Sequence, residues 1–315
     1  VLAAAGHEPL GVYRLVLIEA FGGTRRIAAT LAAATPLMLT GLATALAFRS
    51  GVFNVGVEGC VYVGALAAAW VGFGLPGLGA PALPLAALAA AAAAGALWTL
   101  APALLRARLG VDEVVTTLML NFVAIGLTGF LVNGPLLARG SANSATPMIA
   151  PAARLPPLLP FTTLSAGFLI ALALLAGYAF WSRHAALGME TRLAGLNPRF
   201  SAAVGIDVGG LVVKMMLASG AVGALAGAVQ ALGVTHRFVA GFSPGFGFTG
   251  IAVALLGRNT AAGVLAAAVL FGALATAGAT IQLFADIPIE IVEILQGTVM
   301  IFCVVRMTGR RWPTM

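Results

Sequence analysis

Long apolar segments separated by short polar ones dominate the chain. Most of these segments have about 17 residues or more, the length that a helix needs to cross a hydrocarbon core of about 30 Å. Strict alternation of apolar and polar residues, the mark of a transmembrane barrel, is absent. The pattern predicts an all-α fold, a polytopic transmembrane helix bundle that forms one domain over residues 1–315. The apolar segments lie at about 27–48, 57–73, 82–105, 113–133, 161–181, 209–231, 248–257, 261–284 and 289–306.

The segment at 248–257 is too short to cross a membrane alone. It follows a glycine-rich stretch that runs from Gly241 to Gly250. This combination predicts a short broken or re-entrant segment near 241–257. At the other end, the chain starts with apolar residues before Gly6, which suggests a first span that is truncated or processed. One further upstream span gives about nine to ten crossings and places both native termini in the cytoplasm.

Composition supports a membrane protein and excludes a soluble domain. Hydrophobic residues make up 61% of the chain and charged residues only 9%, with a mean hydropathy of +1.04. A net charge of +7 is also found in proteins that bind nucleic acid. However, the basic residues lie at the ends of the apolar segments, as the positive-inside rule expects, and do not alternate with aromatic residues. The resulting topology predicts a cytoplasmic loop at about 182–207 and an irregular external loop at about 134–160, with membrane lipid and no nucleic acid as partners.

The predicted cytoplasmic loop concentrates charge in a chain that has little of it. Asn197 is a good N-cap and Pro198 suits the first helical position, which predicts a short helix from Arg199 to about Val204. A helix this short is marginal alone and needs packing against something. It could lie on lipid headgroups or dock a cytoplasmic partner, and the loop's sequence alone leaves both interpretations open.

Motifs for catalysis are missing from the sequence. Lys214 is the single lysine and lacks the glycines and hydroxyl of a phosphate-binding loop, so the chain has no ATPase site of that kind. Nucleophile elbows and metal-ligand motifs are also absent, which indicates a protein that is not an enzyme. Cys60 and Cys303 fall in apolar segments, where they are expected to be small buried residues.

Several polar residues interrupt the apolar segments, where burial is costly unless they are paired or face a cavity. They are candidates for a substrate path and comprise Asn54, Glu58, Thr117, Asn121, Gln230 and Gln296. Hydrogen bonding between helices explains Asn54, Glu58 and Asn121 equally well. Favourable interaction with a helix dipole is expected to account for Asp112 and Glu113 at the start of their segment.

Small residues spaced four apart allow helices to approach closely. The pairs Gly205/Gly209 and Gly223/Gly227 are predicted to serve this purpose. Such spacing is common in membrane bundles and says little about function.

Taken together, segments across the whole chain resemble the integral permeases of bacterial ABC importers. The resemblance is to the simple-sugar and nucleoside branch, related to ribose and branched-chain amino acid permeases. It rests on residues 34–59, 110–121, 187–206, 245–257 and 294–297. It implies a multi-pass protein of the bacterial plasma (inner) membrane that pairs with a second permease subunit. Two ATP-binding subunits would bind ATP and Mg²⁺, no cofactor is expected in this chain, and a periplasmic or lipid-anchored protein would deliver substrate.

The resemblance also assigns a role to the charged loop. The stretch 187–206 matches the family's cytoplasmic coupling element, which fits into a groove on the ATPase. The matching residues are Glu190, Arg192, Gly195, Asn197, Pro198 and Arg199. One departure is Cys60, which stands where the family usually has glutamine.

Two functions remain in competition. The first is a permease subunit that imports a nucleoside or simple sugar, driven by partner ATPases. The alternative is an ion-coupled secondary transporter of a small polar solute with Glu58 as its relay, although signals of inverted repeats are missing. Neutral, hydroxyl-rich substrates need only amide and hydroxyl partners, so the residues do not decide between nucleoside and sugar.

Overall fold

The computed structural model describes residues 17–140, 143–284 and 297 of the chain. A 3₁₀ turn at Pro151–Ala153 and a π turn at Ala231–Thr235 supplement the helices. The helices are α1 (Thr24–Arg49), α2 (Val57–Gly74), α3 (Ala82–Leu109), α4 (Glu113–Asn133), α5 (Gly167–His184), α6 (Ala186–Leu196), α7 (Pro198–Ala203), α8 (Val208–Gln230), α9 (Phe246–Leu256) and α10 (Ala261–Phe284).

The all-α prediction is confirmed for the described part of the chain, which has helices and two isolated β-bridges. Six helical spans there are long and apolar enough to cross a membrane, and a seventh is obtained if α5 and α6, bent by 78°, count as one. The predicted total of nine to ten spans is not confirmed, and the segment at 289–306 lies outside the described residues. The short segment expected near 241–257 corresponds to α9.

The span expected at 161–181 begins later than predicted, at Gly167. Residues 156–166 instead form a tight loop, in which the amide of Leu158 donates to the carbonyl of Leu164 at 2.7 Å. Phe161 adopts φ of 59° there, a left-handed conformation that a right-handed helix does not contain, so the helix starts only after this loop.

Helix α8 forms the centre of the bundle, between α1, α2 and α3. A Cβ atom at Gly220 would collide with the backbone of Gly95, and one at Gly227 would collide with the carbonyl of Val61. Gly223 also packs tightly, against Val57, so the prediction for Gly223/Gly227 is confirmed. These approaches shorten the distance between helices and replace lipid contacts with dense packing.

The matching prediction for Gly205/Gly209 is wrong. Gly205 has no heavy atom within 4 Å of a potential Cβ, and Gly209 has only ordinary contacts. Gly205 instead adopts φ of 89° in the turn between α7 and α8, a conformation that glycine adopts without steric cost. The four-residue spacing does not place the two glycines on one helix face, because Gly205 lies in a turn and only Gly209 lies in a helix.

One end of the bundle is covered by the loop that includes residues 134–160. The amide of Ala150 donates to Gly72 at 3.0 Å, and the amide of Ile149 donates to His236 at 3.0 Å. Leu155 donates similarly to Leu232 at 3.1 Å. The loop is thus fixed by backbone hydrogen bonds across the ends of α2 and α8, and we call this end the capped end.

Helices α6 and α7 form the opposite end, which we call the helical-corner end. The side chain of Asn197 accepts from the amide of Phe200 at 3.0 Å, and Pro198 occupies the first turn of α7. The predicted N-cap and short helix are therefore confirmed, with α7 ending at Ala203. Asp207 caps α8 in the same way, by accepting from the amide of Gly210 at 2.9 Å.

The glycine contacts of α8 predict the outcome of a conservative substitution. We expect Gly227→Ala to lower the free energy of unfolding by about 1–3 kcal/mol, because the added methyl group overpacks the contact with Val61. Gly129→Ala is the matched control, since no heavy atom lies within 4 Å of its potential Cβ. Thermal unfolding of the purified protein in detergent measures both, and equal midpoints would contradict the packing described for α8.

Candidate functional site

The link between α1 and α2, which we call the junction segment (residues 50–56), is irregular backbone in which four of the seven residues are buried. Asn54 in this segment is fully buried, and Glu58, just after it, is 2% exposed. Backbone that is not helical leaves amide and carbonyl groups without partners along the chain, and lipid offers none. The surrounding side chains must therefore supply those hydrogen bonds.

Thr117 and Asn121 of α4 supply hydrogen bonds to this backbone. The hydroxyl of Thr117 accepts from the amide of Val55 at 3.2 Å. The side-chain amide of Asn121 donates to the carbonyl of Val55 at 2.9 Å and accepts from the amide of Gly59 at 2.8 Å. Because the two residues are four apart, they lie on one face of the helix and reach successive groups of the junction segment.

Glu113 extends the same face by one further turn, and we call Glu113, Thr117 and Asn121 the polar stripe. Its carboxylate accepts from the amide of Phe53 at 3.2 Å and forms an ion pair with Arg106 of α3 at 3.1 Å. Glu113 is buried. The prediction that the helix dipole accounts for Glu113 is therefore incomplete, because the residue binds two other parts of the chain.

Asn54 connects the junction segment to the central helix. Its side-chain amide donates to the hydroxyl of Ser219 on α8 at 2.9 Å. Its side-chain oxygen accepts from the amide of Gly56 at 2.9 Å, closing a turn within the segment. Both polar groups of this buried side chain thus have partners, as burial requires.

Glu58 lies in the first turn of α2 and also at the start of α9. Its carboxylate accepts from the amide of Gly247, in the first turn of α9. The hydroxyl of Ser243 caps the same helix by accepting from the amide of Phe246 at 3.1 Å. Glu58 thus lies between two helix N-termini, whose unpaired amides and dipoles favour a negative charge.

An aromatic cluster beside Glu58 was not predicted from the sequence. Tyr62 and Phe242 have ring centroids 5.2 Å apart, and Phe238 lies 5.5 Å from Phe242. Tyr62 follows Glu58 by one helical turn, and this spacing is the sequence signal that could have revealed the pair. Aromatic faces next to hydrogen-bonding groups suit a ligand with a flat or hydroxylated ring.

The structure therefore brings together four of the six candidate path residues, namely Asn54, Glu58, Thr117 and Asn121. Gln230 is half-buried near the capped end, about 16 Å along α8 from Ser219. Gln296 lies outside the described residues. The four residues that meet all serve hydrogen bonds between helices, and their role in a path remains a prediction.

The candidate coupling residues occupy α6, α7 and their junction. Arg192 and Arg199 are exposed, and Glu190 is half-buried. Gly195 contacts the backbone of Arg49 and Gly51 so closely that a Cβ atom would collide with it. Asn197 and Pro198 start α7, as described above.

Large apolar side chains on α6 and α7 are also exposed, beside the charged residues of the same two helices. The exposed fractions are 65% for Met189, 71% for Leu196, 53% for Phe200 and 55% for Val204. Gly188, Thr191 and Ala194 form the buried face of α6. Mixed apolar and charged residues on a short, well-ordered helix pair are typical of a surface that binds a protein.

An apolar bundle that contains buried irregular backbone, with a short helix starting at an interior carboxylate, is the architecture of a multi-pass membrane transport protein. The chain belongs to the family described as the branched-chain amino acid transport system permease component, whose family model matches residues 26–304.

Individual relatives extend over almost the whole chain. A glucose ABC transporter permease protein, TsgB13 of Haloferax volcanii, is 34% identical over 96% of this chain and 82% of its own length. The guanosine permease protein NupP of Bacillus subtilis is 36% identical over 96% and 87%. The nucleoside permease protein NupB of Lactococcus lactis is 32% identical over 97% and 86%. No solved structure matches the chain.

Each of these three organisms contributes a second relative. Bacillus subtilis also has the guanosine permease protein NupQ, 31% identical, and Lactococcus lactis has the nucleoside permease protein NupC, 26% identical. These paired permeases suggest that members of the family work in ABC systems with a second permease.

Neighbouring threonines on α4 provide a matched test of the polar stripe. We expect Thr117→Val to destabilise the protein by about 1–3 kcal/mol, because the buried amide of Val55 loses its acceptor. Thr116→Val should change stability by less than about 0.5 kcal/mol, since its hydroxyl bonds only to carbonyls of its own helix. Thermal unfolding in detergent compares the two isosteric variants. Equal effects would show that the stripe does not support the junction segment.

Proposed function

We propose that this chain is the transmembrane permease subunit of an ABC importer that moves a nucleoside or a simple sugar into the cytoplasm. Its place is the bacterial plasma membrane, and partner subunits bind ATP and Mg²⁺. The observation that carries the proposal is the relation to glucose and guanosine permease proteins of ABC transporters across 96% of the chain.

The interior of the bundle supports a neutral, hydroxyl-rich substrate. Hydroxyl and amide groups of Asn54, Thr117 and Asn121 surround the junction segment, and Tyr62 and Phe242 offer aromatic faces close to it. All the amide and hydroxyl groups named here already have partners within the protein. In the proposed mechanism, a change between outward-facing and inward-facing states exchanges some of these internal hydrogen bonds for bonds to substrate hydroxyls, at small net cost.

The helical-corner end supports docking of an ATPase. In this proposal the loop at 182–207 faces the cytoplasm, and Glu190, Arg192, Gly195, Asn197, Pro198 and Arg199 form or support the coupling surface. The exposed Leu196 and Phe200 fill a groove on the ATPase, and the arginines add charge contacts at its rim.

The remaining parts of the importer follow from the same orientation. The capped end faces outward and receives substrate from a periplasmic or lipid-anchored binding protein. A second permease completes the pathway beside this chain, two ATP-binding subunits power the pair, and both native termini lie in the cytoplasm.

Energy dependence separates this proposal from the ion-coupled alternative. We expect the complete complex in proteoliposomes to take up radiolabelled guanosine or glucose only when ATP reaches the ATPase subunits. A proton ionophore should leave that uptake unchanged, because Glu58 accepts hydrogen bonds that hold α9 and need not carry protons. Uptake that collapses with the ionophore and ignores ATP would identify an ion-coupled transporter instead.

The coupling surface is tested by its two exposed arginines. We expect Arg192→Ala with Arg199→Ala to reduce uptake by roughly tenfold while the bundle melts at the wild-type temperature, since both side chains are exposed. Arg108→Ala, an exposed arginine on the last turn of α3, is the control. Uptake and ATP hydrolysis are measured in the same vesicles. Wild-type uptake by the double variant would remove these residues from the coupling surface.

A further inference from the structure

Arg49, the last residue of α1, turns towards the bend between α5 and α6. Its guanidinium donates to the carbonyl of Ser182 at 2.8 Å and to the carbonyl of Gly188 at 3.4 Å. It also lies over the ring of Trp181, with Cζ 6.0 Å from the ring centroid. No motif in the sequence pointed to this residue, which the sequence shows only as a basic residue at the end of an apolar segment.

The two carbonyls belong to opposite sides of the bend. Ser182 lies in the last turn of α5, where carbonyl groups lack partners within the helix, and Gly188 lies in the first turn of α6. One planar guanidinium therefore spans a bend of 78°. Gly195 adds a second attachment, because its backbone rests on the carbonyl of Arg49 and the amide of Gly51. The helical corner is thus held to residues 49–51 at two points.

Residues 50 and 51 are already the first two residues of the junction segment. From there the polar stripe fixes the segment to α4, and Glu58 fixes the start of α9 through the amide of Gly247. The other end of α9 is attached as well, since the hydroxyl of Tyr178 donates to the carbonyl of Asn259 at 2.7 Å. Tyr178 stacks on Trp181, with ring centroids 6.0 Å apart, and Arg49 lies over Trp181, so both ends of α9 connect to this arginine through few intermediates.

We infer that Arg49 is a positioning residue that transmits displacement of α6 and α7 to the junction segment and α9. The inference rests on the proposed function, in which α6 and α7 receive force from an ATPase. Arg49 touches no substrate in this scheme. It holds α6 and α7 to the start of the junction segment, so that these two helices and the segment move together between two conformations of the protein.

A spare donor makes a second arrangement accessible. The Nε atom of Arg49 is buried and has no hydrogen-bond partner among the described residues. An unsatisfied buried donor costs about 1–3 kcal/mol, so a shift of the corner that offers Nε an acceptor recovers that free energy. Allosteric coupling between sites commonly has the same magnitude.

Arginine is required here for its shape as well as its charge. Both carbonyls accept from one terminal nitrogen, Nη2, while the planar guanidinium lies over the ring of Trp181, whereas the ammonium group of lysine is a point charge. Arg49→Lys therefore keeps the charge and removes the planar group, and Arg49→Met removes both. Arg183→Met is the matched control, because Arg183 lies in the same turn of α5 and is exposed.

The test uses the complete complex with its ATPase subunits and binding protein in proteoliposomes. We expect both Arg49 variants to assemble and hydrolyse ATP while the amount of substrate moved per ATP falls roughly tenfold. Stimulation of hydrolysis by the loaded binding protein should fall with it, and Arg183→Met should match the wild type. A normal transport-to-hydrolysis ratio in Arg49→Met would overturn the inference, even if that variant melts at a lower temperature.

Hydrogen–deuterium exchange provides a readout that a purely structural role would not move. In the wild type, ATP binding should alter exchange in residues 51–59 and 246–256 as well as in α6 and α7. In the Arg49 variants the change should remain in α6 and α7 and disappear from the other two stretches. Equal responses would overturn the inference. A wild-type complex without ATP-dependent uptake would instead refute the proposed function.

Discussion

Buried backbone that is not helical is the constraint on which the rest of this structure depends. In a bilayer, amide and carbonyl groups of such a segment have no water to bond with, so the protein must satisfy them. Here the polar stripe of α4 satisfies the junction segment through the backbone groups of Phe53 and Val55. The position of α4 against α2 follows from these hydrogen bonds, and so does the polarity of an otherwise apolar interior. The polar residues that the sequence suggests as a substrate path thus form hydrogen bonds that hold the junction segment in place.

The same constraint explains the packing of the central helix. The hydrogen bond between Asn54 and Ser219 anchors the junction segment to α8. Helix α2 follows this segment directly in the chain and therefore starts close to α8. The glycines of α8 permit that approach, because Gly227 touches the backbone of Val61. Dispersion contacts between closely packed backbones then replace the hydrophobic driving force, which is weak between helices in lipid.

Local signals in the sequence predicted the elements that local physics decides. Asn197 and Pro198 specify the start of α7 through capping and a fixed φ, and the short length of α9 follows from its flanking glycines. Contacts between distant residues were not predictable in this way. Glu113 looked like a dipole partner because its contact with Phe53 depends on how α1, α2 and α4 are arranged. The cluster around Tyr62 was missed for the same reason, since Phe238 and Phe242 come from a distant loop.

The apolar side chains that α6 and α7 expose have a consequence for the life of the protein in the cell. In the orientation that we propose, a chain that has been inserted but not yet assembled presents the exposed Leu196 and Phe200 to water. Chaperones and proteases act on exposed apolar surface of this kind, so an orphan copy is a substrate for quality control. A partner that covers the surface also removes that signal. The surface that we propose for coupling to the ATPase would then also mark copies of the permease that lack a partner for removal.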